Sequence, residues 1–299
     1  MGKKRFVLRA AVLSCAMWML QPTSAAEAAR HLDDITYARI GNRALQLDLH
    51  MPAGVARPPL VVYVHGGAWR AGSKDEYPRF LVEQGFAVAS VEFRASGEAR
   101  FPADVHDIKA AVRFLRVKAK DFGYGGERIA ISGASSGGHL AAMVATTNGM
   151  AELEGNLGEF TRASSAVQAL VSWFGASNLN TILAQSTPFG LSVREPALKL
   201  LLGALPPEVP ALSKLASPVT HVAAGDPPAL LLHGNQDPQM PVNQTLELEA
   251  AYRRARLPVE MIIIDGAGHG GDAFYIGEPA ERVLAFLRKA IGSQASPPR

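Results

Sequence analysis

The chain of 299 residues carries one cysteine, Cys15, which excludes a disulfide framework. Charge is sparse, at 19% against 48% hydrophobic residues. That balance excludes a disordered chain and predicts a folded core. Aromatic residues are few, at 7%, and no basic stripe is interleaved with them, so nucleic-acid binding has no support. No His, Asp and Cys residues show metal-ligand spacing, so no metal is expected. Gly137-Gly138 belongs to no phosphate-binding sequence, and no cofactor is expected. No internal repeat or low-complexity tract occurs.

The formal charge of +3 and the isoelectric point of about 9.0 suggest an acidic partner at first sight. The N-terminus removes that suggestion. Lys3, Lys4, Arg5 and Arg9 precede an uncharged apolar run, Ala10 to Leu20, and then Gln21-Pro22 and a small-residue stretch. This is the layout of a secretory signal peptide over residues 1–26, with cleavage after Ala26 or Ala28. Two alternatives stand beside it. A membrane anchor needs about 20 apolar residues, more than this run supplies, so stable membrane insertion is not expected. Lipidation at Cys15 needs a better lipobox than Val12-Leu13-Ser14-Cys15. Export would make the protein periplasmic or secreted. It would also take the charge from +3 to 3 − 4 = −1 and remove the only thiol.

Residues 30–292 read as one α/β domain, with 293–299 as a flexible tail. Ile35–Ile40 and Ala44–Met51 flank Gly41-Asn42 as a hairpin. Strand-like runs follow at Leu60–Val64, Ala87–Phe93, Arg128–Ser132, Ala166–Trp173, Ala229–His233 and Val259–Asp265. Helical spacing or composition lies between them at Asp75–Gln84, Ala103–Phe122, Gly138–Thr147, Val242–Arg256 and Glu278–Ile291. This alternation predicts a mostly parallel twisted sheet with helices on both faces. Residues 177–218, rich in Pro and Leu, break the rhythm and read as a small helical insertion or lid over the sheet edge.

Ligands of such sheets sit beyond the carboxyl ends of the strands, so the loops after each strand hold the candidates. After Arg128–Ser132 comes Gly133-Ala134-Ser135-Ser136-Gly137, a G-x-S-x-G between a strand and a helix. It presents Ser135 as a nucleophile on a strained turn, with glycines where side chains would collide. A serine hydroxyl needs a base. Of the histidines, His269 follows the last strand among glycines. His50, His106 and His221 lie outside such loops, His139 is placed for packing, and His233 for a backbone hydrogen bond. The base needs a carboxylate to fix its tautomer. Asp237 follows Ala229–His233, with Asp265 and Asp272 as alternatives. The chain order Ser135, Asp237, His269 is that of α/β-hydrolases. An oxyanion needs preorganised N–H donors. Gly67 and Ala68, in His65-Gly66-Gly67-Ala68-Trp69, and Ser136 at the helix start are the candidates; His65 reads as a brace. Trp69, Phe174 and the insertion are candidate walls of a substrate pocket.

With these residues the chain resembles serine esterases of the α/β-hydrolase superfamily, and most of all bacterial acetyl and feruloyl esterase domains of the BD-FAE type, related to hormone-sensitive-lipase-like esterases. The resemblance rests on the loop His65–Trp69, Phe93-Arg94 with Phe101-Pro102, Asp104–Asp107, Gly133–His139, Ser217-Pro218 and His233–Asp237. It departs from the hormone-sensitive-lipase pattern at Ala134, where that pattern has an acidic residue, and in lacking N-terminal cap helices. What it implies is hydrolysis of short-chain or aromatic acyl esters, acylated saccharides included. Amide hydrolysis by the same triad and a non-catalytic binding protein are the alternatives. Oligomeric state is not legible.

Overall fold

The computed structural model describes Gly2 and residues 28–292. Apart from Gly2, the expected leader 1–26 lies outside the described residues, as does the tail 293–299. Eight strands form one sheet: β1 (Arg30–Ile40), β2 (Arg43–Met51), β3 (Pro59–Val64), β4 (Ala87–Val91), β5 (Gly125–Ala134), β6 (Ala169–Trp173), β7 (Ala229–Gly234) and β8 (Val259–Ile264). Their order is β1-β2-β4-β3-β5-β6-β7-β8. The hairpin β1–β2 and the pair β2–β4 are antiparallel, and every later pairing is parallel. The helices are α1 (Arg79–Glu83), α2 (Ala103–Phe122), α3 (Ser136–Thr146), α4 (Ala151–Glu154), α5 (Ile182–Gln185), α6 (Pro188–Leu202), α7 (Pro210–Leu215), α8 (Asn243–Arg254) and α9 (Gly277–Ile291).

Side chains alternate across a strand, and β3 shows how that builds two cores. Leu60, Val62 and Val64 face one cluster, with α2, α3 and Tyr252 of α8. Val61 and Tyr63 face the other, with Leu81 of α1 and the apolar stripe Val283, Leu287 and Ile291 of α9. Buried on both faces, the central strands read as unbroken apolar runs. Helix α2 has the expected bounds; Ile108, Ala111, Val112, Leu115 and Ala119 are buried, and Gly123 ends it in the left-handed conformation.

Two expectations are corrected and one helix is added. The helix expected over Asp75–Gln84 shrinks to α1, because Pro78 disfavours helical geometry at Tyr77. Helix α4 was not anticipated. The insertion does not lie over the sheet edge. It leaves β6, an interior strand, at its carboxyl end and covers the loops there. Phe101 N–H donates to Leu201 O at 3.0 Å, and Thr187 Oγ1 donates to Pro238 O at 2.7 Å. The two ends of the insertion meet. Val219 N–H donates to Ser177 O at 3.2 Å, and Leu179 N–H to Ser217 Oγ at 2.9 Å.

Candidate active site

Ser135 sits at the turn from β5 into α3 with φ 55° and ψ −122°, a conformation side chains other than glycine's rarely adopt. The strain is held by backbone. Ser135 N–H donates to Trp173 O at 2.9 Å, and Ser135 O accepts from His139 N–H at 3.1 Å. The flanking glycines are steric necessities. A Cβ on Gly133 would lie 2.3 Å from Gly137 O, and one on Gly137 would lie 2.1 Å from Val64 O. The turn is therefore pressed against both α3 and the end of β3.

The loops after β5, β7 and β8 bring three side chains into one line. Ser135 Oγ lies 2.9 Å from His269 Nε2, and His269 Nδ1 lies 2.6 Å from Asp237 Oδ2. Nδ1 facing a carboxylate carries the proton, which leaves Nε2 free to accept from the serine. Asp237 is itself fixed: its Oδ1 accepts the Gln239 and Met240 N–H groups at 2.8 and 2.9 Å. Burial alone would raise the Asp237 carboxyl, but hydrogen bonds from His233 and His269 outweigh it and hold the group well below the usual carboxylate range. Asp265 accepts from Asn235 at 2.7 Å and Asp272 opens a short turn; neither meets His269. Phe174 lies against the imidazole, ring centroids 4.8 Å apart.

Gly67 O accepts from Arg70 and Ala71 N–H, which folds the loop after β3 into a tight turn. Among the described residues, the N–H groups of Gly67, Ala68 and Ser136 find no acceptor. Ser136 opens α3, where unpaired N–H groups and the helix dipole favour negative charge. Gly67, Ala68, Ser135, Phe174 and His269 line one cavity of about 520 Å³.

Trp69 is not a wall of that cavity, which corrects its reading as a substrate contact. It is 1% exposed, and its indole N–H donates to His139 Nδ1 at 2.9 Å. His139 Nε2 donates in turn to Ala216 O at 2.7 Å. Burial pushes His139 down to about 4, so it is a neutral strut between the loop after β3, α3 and the insertion. His233 donates to Met240 O at 2.9 Å and accepts from Thr245 Oγ1 at 2.6 Å. His65 donates to Gly66 O at 2.8 Å and stacks on Phe93. His106 and His221 meet backbone carbonyls, and His50 meets His31.

The sequence reading missed Arg194, Gln239, Glu76, Tyr63 and Tyr275, which also line the cavity. Gln239 had a local signal, its place two residues after Asp237. The others had none. A second cavity of about 560 Å³ lies at the opposite end of the strands, around Gln168, Pro228 and Pro258, and holds none of the three aligned residues. The fold also brings Asp48 of β2 beside His31 and Asp33 of β1. Lys74 Nζ already occupies both Asp48 oxygens, at 2.8 and 2.9 Å. Among the described residues, no helix is long and apolar enough to cross a membrane.

Strand order, the strained turn at Ser135 and the loops that converge on it define an α/β-hydrolase fold. The BD-FAE family model matches residues 47–252, and the chain belongs to that family. The match spans Ser135 and Asp237 and ends before His269. Esterase LipQ of Mycobacterium tuberculosis is 31% identical over 237 residues, 76% of this chain and 54% of that protein. The chain spans 54 to 62% of the length of the curated relatives it matches first. A truncated carbohydrate esterase from gut microbiota superposes with a TM-score of 0.78 at 28% identity, over 89% of this chain and 99% of that one. A bifunctional GH43-CE protein of Bacteroides eggerthii gives 0.76 at 31% identity, over 87% and 35%.

Proposed function

We propose that the protein is a serine carboxylic-ester hydrolase acting on short-chain or aromatic acyl esters, acylated saccharides included. The observation that carries this is the aligned hydrogen-bond chain Ser135–His269–Asp237 beside three unpaired N–H groups. Relatives described as esterases and a carbohydrate esterase support the ester as the bond.

In this mechanism Ser135 Oγ attacks the ester carbonyl while His269 Nε2 takes its proton. Asp237 keeps the proton of His269 on Nδ1 and stabilises the imidazolium. The oxyanion is held by the N–H groups of Gly67, Ala68 and Ser136. His269 then protonates the leaving alcohol, giving an acyl-Ser135. Water, deprotonated by His269, attacks that ester and releases the acid and the free serine.

Ser135→Ala tests the reading, with p-nitrophenyl acetate as substrate. Activity should drop by about 10⁴-fold or more, and a fluorophosphonate probe should label only the wild type. Retained activity overturns the nucleophile. A matched ester and anilide decide between ester and amide hydrolysis. On the sequence pattern of residues 1–26 we also propose export, checked by fractionation and the N-terminal mass of the mature chain.

A further inference from the structure

Two guanidinium groups meet the cavity of Ser135 without a carboxylate to pair with. Arg194, on α6 of the insertion, is 1% exposed. Among the described residues its buried Nη1 finds no hydrogen-bond partner, and its Nε donates to Gln239 O at 3.4 Å. The guanidinium lies 5.9 Å from the Trp69 ring centroid. Arg70, exposed on the loop after β3, lines the same cavity. Among the described residues, neither has a carboxylate oxygen within 4.0 Å. Asp237 is near enough to favour the charge on Arg194, but its oxygens already accept from His269, Gln239 and Met240.

A buried cation held by one long hydrogen bond, with a donor left unpaired and no carboxylate beside it, is an unfavourable arrangement in a folded protein. Burial pushes Arg194 down to about 10, and the charge of Arg70 acts the same way. Like charges this close repel, which adds to the cost. Of the lining residues only Glu76 is acidic. It is grouped with the tyrosines: after burial, its charge is what pushes Tyr275 up to about 12. The cavity is thus polarised, and its cationic part lacks an anion. A planar fork of donors is matched best by a carboxylate.

We propose that Arg194, with Arg70 beside it, binds a carboxylate carried by the substrate, so that the preferred esters are anionic. This rests on the hydrolase reading of Ser135. The carboxylate can sit on the acyl side or the alcohol side, and two substrate pairs separate these. For the acyl side, p-nitrophenyl hydrogen glutarate is compared with p-nitrophenyl pentanoate. For the alcohol side, p-acetoxybenzoate is compared with p-acetoxybenzamide.

In one pair, wild-type kcat/KM should favour the anionic ester by about tenfold or more. Arg194→Gln should bring that ratio to about one, and Arg194→Lys should keep part of it. Equal or lower kcat/KM for the anion in both pairs overturns the inference, and so does an unchanged ratio in Arg194→Gln. If Arg194→Gln does not fold, by circular dichroism, the wild-type ratios and Arg194→Lys still decide. If neither the neutral nor the anionic esters show Ser135-dependent turnover, the hydrolase reading fails and this inference falls with it.

Discussion

The loops after β3, β5, β7 and β8 differ from the insertion after β6 in how they are held. The first group is fixed by main chain. Gly133 and Gly137 leave no room for a methyl group, Asp237 is pinned by two amides, and Ser135 by Trp173 O. The insertion is held largely by side chains and by helix packing, with Phe189 and Leu200 facing solvent. In the proposed mechanism the chemistry would sit on the parts held by main chain, and substrate choice on the parts held by side-chain packing. Such a division suits reactions that need near-contact geometry at the nucleophile but variable pockets around it.

Four changes sharpen or break this contrast, in falling order of effect. Asp237→Asn should lower kcat by about four orders of magnitude while the fold survives, because the amide favours the wrong tautomer of His269. Near-normal turnover would make Asp237 a structural residue. Gly137→Ala should destabilise the fold by about 3 kcal/mol, read as a fall in the urea midpoint, since its methyl meets Val64 O. A silent substitution would mean that the nucleophile turn can yield after all.

His139→Gln probes the joint between the two regions. The folded His139 titrates at about 4, below its ordinary 6.5. The unfolded chain therefore takes up a proton between pH 6.5 and 4 that the folded one does not. The stability due to His139 is present above pH 6.5 and is lost as pH falls toward 4. The difference in unfolding free energy between wild type and variant should narrow by roughly 1–2 kcal/mol from pH 7 to pH 5. A constant difference would count against a neutral strut. Phe189→Ser, at a side chain of α6 that is 55% exposed, should leave stability within about 0.5 kcal/mol. A larger loss would show that the insertion is less tolerant than its packing suggests.

The same contrast explains what could be read from sequence. Ser135, Asp237 and His269 were legible because each follows an apolar strand and sits among residues chosen for backbone geometry. Helix α2 was legible because its buried face repeats at helical spacing over 20 residues. Trp69 was misread because a large aromatic beside glycines suggests a pocket wall, whereas its indole finds His139 only in three dimensions. Arg194 was invisible for the same reason. Nothing local distinguishes it from any arginine on a helix; its meaning comes from having no carboxylate partner among the described residues once α6 is laid over the carboxyl ends of the strands. The placement of the insertion depends on strand order, which hydrophobic patterning does not encode.

The pairing of Ser177 with Val219 and of Leu179 with Ser217 at the two ends of the insertion has a practical consequence. A segment whose ends are hydrogen-bonded neighbours can be cut out and replaced by another of different length with little added closure entropy. Residues 177–218 can therefore be treated as a cassette, and splicing donor segments from relatives between β6 and β7 would test whether this segment sets the substrate preference of the proposed hydrolase.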